Sequence, residues 1–430
     1  MTQPVADPPP LYRLPNELLL HVAEHVDAAE VADLLSLSQV SKRVRPIAED
    51  LLYRCVKLGP PQIDEPAANG MPRLLLTILT RPELAEKMRA LQFVTVRKNL
   101  CGAYHMAGLD FEQLRLLSLA KLVALGYKKG HPWHRMVEAS IESAYGGLLL
   151  AILSNLTTLD VAVLDCALAW DRLNSASSDP IMALFGTLIP PKVAIGLFQQ
   201  LVSLAALASH TEFLALDMPN LSQLSLANIS PDDLLRLNGP ASLSGAPKLH
   251  SMAISLDHEM IRSGTLPFRY SDLEHMFSAF DCPDLTNLSL RLFSTGIVSA
   301  HTEPEFPYLI KSLNSLAGQL QILDINVFPD SDTVPARANI FRRAIPIHSI
   351  RHFTSLLFFS APQGALINGP EVHSFGDRMP KMVVFFPASL ETLCIRNPTE
   401  EVHSWLAQIP KLSGHELPCL EDIVFWSGGC

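Results

Sequence analysis

One short phrase, leucine-x-x-leucine-x-apolar with conservative exchanges, recurs through the last two-thirds of the chain. Copies begin at Leu156, Leu221, Leu249, Leu285, Leu320, Leu390 and Leu420, and a degenerate copy spans residues 353–358. From Leu221 onwards the copies begin between 28 and 37 residues apart, a period typical of stacked repeats. Because the second half of the phrase alternates apolar and other residues, each copy predicts a strand that is buried on one side.

The phrase resembles the strand segment of leucine-rich repeats. This resemblance implies an irregular solenoid over residues 73–430, in which each strand is followed by a return long enough for a helix. The interval from Leu156 to Leu221 is too long for one unit. We therefore expect either a further copy near Phe213–Leu216 or an extra helical layer at Ala194–Ala208.

Residues 14–53 form a separate, leucine-rich stretch with helical spacing. Pro15 suits the first position of a helix, where a missing N–H costs nothing. Leu18, Val22 and Val26 then recur at four-residue steps, which predicts one apolar helix face. A chain segment of this size buries little surface by itself, so it needs something to pack against.

Further short helices are predicted within the same stretch, which makes three or four in all. Val31, Leu34 and Leu35 indicate the second helix, and Val40 and Val44 indicate the third. Since a proline disfavours the helical conformation of the residue before it, Pro46 predicts a break at Arg45 and a new helix start.

Three motifs in this stretch resemble the F-box: Leu-Pro-x-Glu-Leu-Leu from Leu14, Asp-Leu-Leu-x-Leu from Asp33, and Val-Ser-Lys-Arg from Val40. The resemblance implies docking on the Skp adaptor of a cullin-based ubiquitin ligase. The residues that it marks as adaptor-binding are Leu14, Pro15, Leu18, Leu19, Leu34, Leu37, Val40 and Arg43. The predicted fold class is thus α/β, a short all-helical F-box followed by the leucine-rich-repeat-like solenoid.

The predicted domain organisation is a disordered tail at 1–10, the F-box at 11–57, a turn-rich linker at 58–72 and the solenoid at 73–430. Helices are predicted at Arg73–Thr80, Glu83–Ala90, Phe111–Leu125 and Trp133–Leu153, and a strand at Leu91–Val96. The segment RPELAEKMRALQF resembles the region that follows the F-box in fungal proteins with leucine-rich-repeat-like tails.

Composition excludes several classes of function. A net charge of −10 and a pI near 5.8 argue against nucleic acid as a partner, which requires a basic face. No apolar run is long enough to span a bilayer, and the first ten residues lack the pattern of a signal peptide. We therefore expect no membrane partner and a cytoplasmic or nuclear location, where scattered cysteines stay reduced.

One motif suggests catalysis. His21-Val-Ala-Glu24-His25 matches the H-x-x-E-H pattern of inverted zinc peptidases. It lies within the predicted first helix, however, and no distant third ligand accompanies it. We therefore expect no enzyme, no metal and no cofactor.

The remaining hypothesis is protein binding. Residues that alternate with the buried positions of each phrase are predicted to line the inner face of the solenoid. Among them, Arg291, Arg396 and Trp426 are the candidate target-binding residues, because arginine and tryptophan are enriched at binding hot spots. The sequence thus predicts a substrate receptor of an SCF-type (Skp-cullin-F-box) ubiquitin ligase. The alternative is a leucine-rich-repeat scaffold that binds partners without directing ubiquitination.

Overall fold

The structure is a computed structural model. It describes residues 14–25, 31–59, 70–99, 108–165, 177, 179–229, 248–257, 270–279, 282–293, 306–328, 345–367, 385–398, 402, 406 and 417–426. The predicted tail at 1–10 and residues 60–69 of the predicted linker lie outside these ranges. The chain forms two units, Met1–Ser175 with Ile181–Gln200, and Ala176–Pro180 with Leu201–Cys430.

The first unit combines helices with three parallel strands. Its helices are α1 Asn16–His25, α2 Val31–Val40, α3 Arg45–Arg54, α4 Gly70–Thr80, α5 Phe111–Ala124, α6 Pro132–Glu138, α7 Glu142–Ile152, α8 Pro180–Phe185 and α9 Lys192–Gln200, with a 3-10 helix at Pro82–Lys87. Its strands are β1 Cys55–Lys57, β2 Ala90–Val96 and β3 Thr158–Leu164, paired in sequence order. α4 therefore begins at Gly70, within the segment predicted as linker.

Aromatic packing closes the core of this unit. Trp133 is fully buried, and its indole Nε1 donates a 3.0 Å hydrogen bond to the Ala144 carbonyl. The buried Tyr145 hydroxyl donates to the Val137 carbonyl at 3.0 Å, and the Phe185 ring lies edge-on to Trp133 at 5.2 Å. The polar atoms of the Trp133 and Tyr145 rings are thus both hydrogen-bonded within the core.

The single helix predicted at Trp133–Leu153 is wrong, because the structure divides it into α6 and α7. Ser140, between them, has a φ of 60°, which no helix accommodates. The Glu142 N–H then donates to the Lys98 carbonyl at 3.0 Å, so a bond to the segment after β2 replaces helix continuation.

The second unit contains eight described strands. They are β4 Ser203–Leu207, β5 Gln223–Ile229, β6 Ser251–Asp257, β7 Asn287–Phe293, β8 Ile322–Phe328, β9 Phe358–Pro362, β10 Thr392–Arg396 and β11 Asp422–Trp426. All pair in parallel and in sequence order. The described helices of this unit are α10 Thr211–Leu214, α11 Tyr270–Ala279, α12 Phe306–Ser312 and α13 Gln363–Leu366, with a 3-10 helix at Asn314–Leu316.

The recurring phrase sets the register of this sheet. In the copy that begins at Leu285 and continues into β7, the apolar positions Leu285, Leu288 and Leu290 are buried. The residue after the first of them, Thr286, bonds to the next strand through its backbone. The Thr286 carbonyl accepts the N–H groups of both Gln321 and Ile322, at 2.8 and 3.0 Å. Equivalent paired bonds recur from β5 to β11, so each phrase fixes the start of the next strand.

Two details of the phrase differ from prediction. The copy expected at Phe213–Leu216 is wrong, because α10 and a turn lie at these residues. The additional strand is instead β4, which follows α9 and belongs to a copy of the phrase that begins at Leu201. The predicted layer at Ala194–Ala208 is thus only partly helical. The degenerate copy is also shifted: β9 uses Leu356, Phe359 and Ala361 as its buried positions.

Within the described ranges, no helix combines the length and the apolar character that crossing a bilayer would require.

Candidate functional site

The polar face of the second unit carries a row of bonded side chains. Arg396 on β10 donates from Nη2 to Asp324 Oδ1 on β8 at 3.0 Å and from Nε to Ser360 Oγ on β9 at 2.9 Å. Ser289 on β7 donates to the other oxygen of Asp324 at 3.5 Å. The row therefore links four neighbouring strands through side chains.

Trp426 extends this row onto the last strand. It pairs with Arg396 in the β10–β11 register, and the Arg396 guanidinium lies 5.5 Å from the centroid of its ring. The Trp426 side chain is 55% exposed. The arginine held by a carboxylate and the exposed indole beside it are the two residue types that are enriched at protein-binding hot spots.

Of the three predicted target-binding residues, the structure brings Arg396 and Trp426 together. Arg291 is exposed on β7, where it pairs with Asn326 of β8 in the sheet register. Sequence reasoning missed Ser360, because the degenerate copy was placed three residues too early. The pattern Leu356-x-x-Phe359-x-Ala361 is the signal that identifies it.

Helices α1 and α2 of the first unit both pack against α3. Their shared core consists of the buried residues Leu19, Ala23, Leu34, Val44 and Ala48. α3 begins at Arg45, one residue before the predicted start at Pro46, and the break falls at residues 41–44 instead of the helix predicted to continue from Val40 to Val44. The turn before it is closed by the Val44 N–H, which donates to Ser41 Oγ at 3.2 Å.

The same helices leave large apolar side chains in solvent. Leu18 and Val22 follow each other at a spacing of four on α1, and Val31 and Leu35 do so on α2. With Val40 at the end of α2, these side chains are between 44% and 58% exposed. Small soluble domains rarely expose apolar residues in this density, so these side chains form a candidate contact surface.

Arg43 fixes the start of α1. Its Nη2 donates to the Leu14 carbonyl at 2.6 Å and to Asn16 Oδ1 at 3.3 Å, across a gap of 27 or more residues. The turn between α2 and α3 is therefore tied to the residues that precede α1.

Residues 11–58 match the family model described as F-box-like. The chain carries an F-box-like domain. A comparison with curated proteins found no match. The match covers the three helices described above and β1, and it agrees with the motifs at Leu14, Asp33 and Val40.

The residues predicted to bind an adaptor fall into three groups within the F-box-like domain. Pro15, Leu18, Val40 and Arg43 are exposed, Leu14 and Leu37 are half-buried, and Leu19 and Leu34 are buried. Leu19 and Leu34 thus contribute to the core of the domain. The exposed Val22, Val31 and Leu35 were not predicted, although their four-residue spacing beside Leu18 marks a second apolar helix face.

The F-box-like domain continues directly into the sheet of the first unit. β1 follows α3 without a linker and pairs with β2, and the Arg89 N–H donates to the Arg54 carbonyl at 2.9 Å. Glu49 of α3 binds Arg81 at 2.9 Å, and this hydrogen bond first of all holds the pKa of the Glu49 carboxyl below its usual value. The domain is therefore fixed to β2 through the backbone and to the start of the 3-10 helix through the Glu49–Arg81 pair.

His21 and His25 do not form a metal centre with described neighbours. Both are exposed on α1, and the His25 ring bonds the His21 carbonyl at 2.8 Å as helix residues do. Across the described ranges, no three His, Cys, Asp or Glu side chains are grouped to hold a metal ion.

Proposed function

We propose that this chain is the substrate-recognition subunit of an SCF-type ubiquitin ligase. The F-box-like match at residues 11–58 carries the proposal, and the exposed apolar side chains of α1 and α2 support it. F-box domains generally bind Skp-type adaptors, so these side chains are the proposed adaptor contact. The buried Leu19 and Leu34 would hold the two helices in place against α3.

The second unit is the proposed target-binding part. Parallel strands in sequence order, each begun by the same phrase, support the interpretation as an irregular leucine-rich-repeat-like solenoid of the fungal F-box type. Arg291, Arg396 and Trp426 lie on its polar face and are the proposed target contacts. Their chemistry favours a protein with exposed acidic and apolar groups.

The proposed mechanism is proximity. A target held on the second unit would be kept near the conjugating enzyme that the adaptor and a cullin recruit, which raises the effective concentration of its lysines. The chain needs no nucleophile for this role. We propose that it acts in the cytoplasm or the nucleus.

Affinity capture tests the adaptor contact. The intact chain should retain a Skp-type adaptor, whereas replacing Leu14, Pro15 and Leu18 with serine should abolish that co-purification. Because these three residues are not fully buried, the variant should keep its fold, which circular dichroism would check. The matched control is Leu116→Ser, since Leu116 is 57% exposed on α5, outside the F-box-like domain.

Two outcomes would contradict parts of the proposal. If the triple variant still retained the adaptor, the proposed adaptor contact would be wrong. The alternative of a scaffold that does not direct ubiquitination would be favoured by a different pair of results. The chain would capture an adaptor without a cullin, and no partner would accumulate when the chain is removed.

A further inference from the structure

The turn between α8 and α9 exposes two adjacent apolar side chains. Leu188 and Ile189 are 73% and 74% exposed, more than any other large apolar residue that the structure describes. Neighbouring residues of the same turn, Pro190 and Pro191, are buried. The two exposed side chains are therefore followed directly by two buried residues of the same turn.

This projection is held in place. Thr187 Oγ1 donates to the Ile189 carbonyl at 2.8 Å. Gly186 has a φ of 67° and lies so close to Pro132 and Trp133 that a Cβ there would meet backbone atoms at 3.0 Å. The turn is thus anchored to the aromatic core, and the exposure of its tip is a fixed property of the fold.

Lysines lie beside the same turn. The Tyr127 hydroxyl oxygen accepts the backbone N–H groups of Lys192 and Val193, which places the segment that begins at Tyr127 against the start of α9. Lys128, Lys129 and Lys192 are all exposed. We call Leu188, Ile189 and these three lysines the basic-apolar face.

No acidic residue balances this charge in the surrounding sequence. Residues 113–137 and 180–211 contain no aspartate or glutamate, although the whole chain carries a net charge of −10. The pKa of His131, in the same turn as the lysines, lies below its usual value, first because of burial and then because of the positive charge of Arg135 and the neighbouring His134. The face is therefore locally cationic on an acidic protein.

Two adjacent projecting apolar side chains with exposed lysines on the neighbouring segments match the chemistry of an anionic bilayer. Apolar tips enter the acyl boundary without needing a shaped groove, and lysines reach lipid phosphates with their long stems. A protein partner would instead require a pocket that fits the tip. We propose that the basic-apolar face binds the surface of a membrane that contains anionic lipids.

This proposal goes beyond the adaptor and target contacts. The sequence predicted no membrane partner because no segment could span a bilayer, but binding to the surface needs no spanning helix. The face lies within the first unit, which also contains the F-box-like domain. Lipid binding by the basic-apolar face would bring the chain to a membrane surface.

Vesicle co-sedimentation of the full chain tests the proposal. Vesicles of phosphatidylcholine are compared with vesicles that also contain phosphatidylserine, at low and high salt. We expect sedimentation only with the anionic vesicles and release at high salt. Leu188→Ser with Ile189→Ser, and separately Lys128→Glu with Lys129→Glu, should each weaken binding by about tenfold or more.

Matched controls separate the face from general effects. Exchanging the two apolar residues, Leu188→Ile with Ile189→Leu, keeps the apolar area and should keep binding. Lys248→Glu with Lys311→Glu makes the same charge change on exposed lysines of the second unit. This variant should weaken vesicle binding less than Lys128→Glu with Lys129→Glu does.

Three results would overturn the proposal. They are equal sedimentation with neutral vesicles, anionic binding that the Lys128 and Lys129 variant does not weaken, and no sedimentation at all with either vesicle. If the chain did not bind vesicles but bound polyglutamate through Lys128 and Lys129, these lysines would instead form a contact for an acidic protein. Adaptor capture should be unchanged in every variant, which keeps this test independent of the proposed function.

Discussion

Arg396 reaches across strand β9 to donate a 3.0 Å hydrogen bond to Asp324 on β8. The two side chains are 19% and 22% exposed, so their bond is partly shielded from water. Asp324→Ala leaves the guanidinium without its carboxylate, and we expect the free energy of unfolding to fall by about 1–2 kcal/mol, between the values for exposed and buried pairs. Urea unfolding of the variant measures this change.

Arg291 provides the control for this pair, because it is exposed on the same sheet face. Arg291→Ala should change the free energy by no more than about 0.5 kcal/mol. In the double variant Asp324→Ala with Arg396→Ala, the loss should be smaller than the two single losses added together. Strict additivity would show that the pair contributes nothing.

Two helical glycines of the first unit should respond in opposite directions to alanine. A Cβ at Gly147 on α7 would lie 2.3 Å from the Leu184 carbonyl oxygen, whereas a Cβ at Gly196 on α9 would meet no atom within 4 Å. We expect Gly147→Ala to destabilise the chain by about 3 kcal/mol, because backbone must move. Gly196→Ala should stabilise it by about 0.5–1 kcal/mol through helix propensity.

Thermal unfolding of the two alanine variants, side by side with the parent chain, measures both effects. A Gly147→Ala protein as stable as the parent would contradict the close packing of α7 on α8.

Most strands of the second unit were predictable because leucine alternates with polar residues in their phrases. Two strands, β4 and β9, were misplaced, and β9 shows why the pattern alone was insufficient. Phe353, Leu356, Leu357, Phe358 and Phe359 are all apolar, so several registers satisfy the same alternation. The register is chosen by backbone bonds from Leu357 and Phe358 to the Gln321 carbonyl, which no sequence pattern reveals.

The F-box-like domain was predictable from its motifs, but the burial of its residues was not. Leu18 and Leu19 are neighbours on α1 with opposite environments, one exposed and one buried. Apolar residues lie on two faces of this helix, so helical spacing cannot tell which face meets α3. That choice depends on tertiary packing, and the exposed face became visible only in the structure.

Acid should destabilise the second unit through His210. This side chain is buried, and burial lowers its pKa to about 4 from 6.5, against the opposing effect of its bond to the Ser177 carbonyl. Unfolded His210 takes up a proton as the pH falls below 6.5, whereas folded His210 does so only near 4. Stability from this group is therefore full above pH 6.5 and is lost towards pH 4, by about 3 kcal/mol.

Urea midpoints measured at intervals between pH 7 and pH 4 test this, with His210→Gln as the comparison. Glutamine keeps a hydrogen-bond donor but does not titrate, so its midpoint should fall less over this range. Parallel curves for the two proteins would rule out a contribution from His210.

Ser140 separates α6 from α7, although the sequence offers neither glycine nor proline at the break. Its φ of 60° costs an L-residue about 1–2 kcal/mol, and a β-branched residue more. Ser140→Gly removes this cost but adds chain entropy to the unfolded state, so we expect a net stabilisation of at most about 1 kcal/mol. Ser140→Val should be destabilising, because valine resists a positive φ and would force the break to shift. Denaturant unfolding should rank the proteins glycine, serine, valine from most to least stable. If valine were tolerated as well as glycine, α6 and α7 would have to join into the single helix that the sequence predicted.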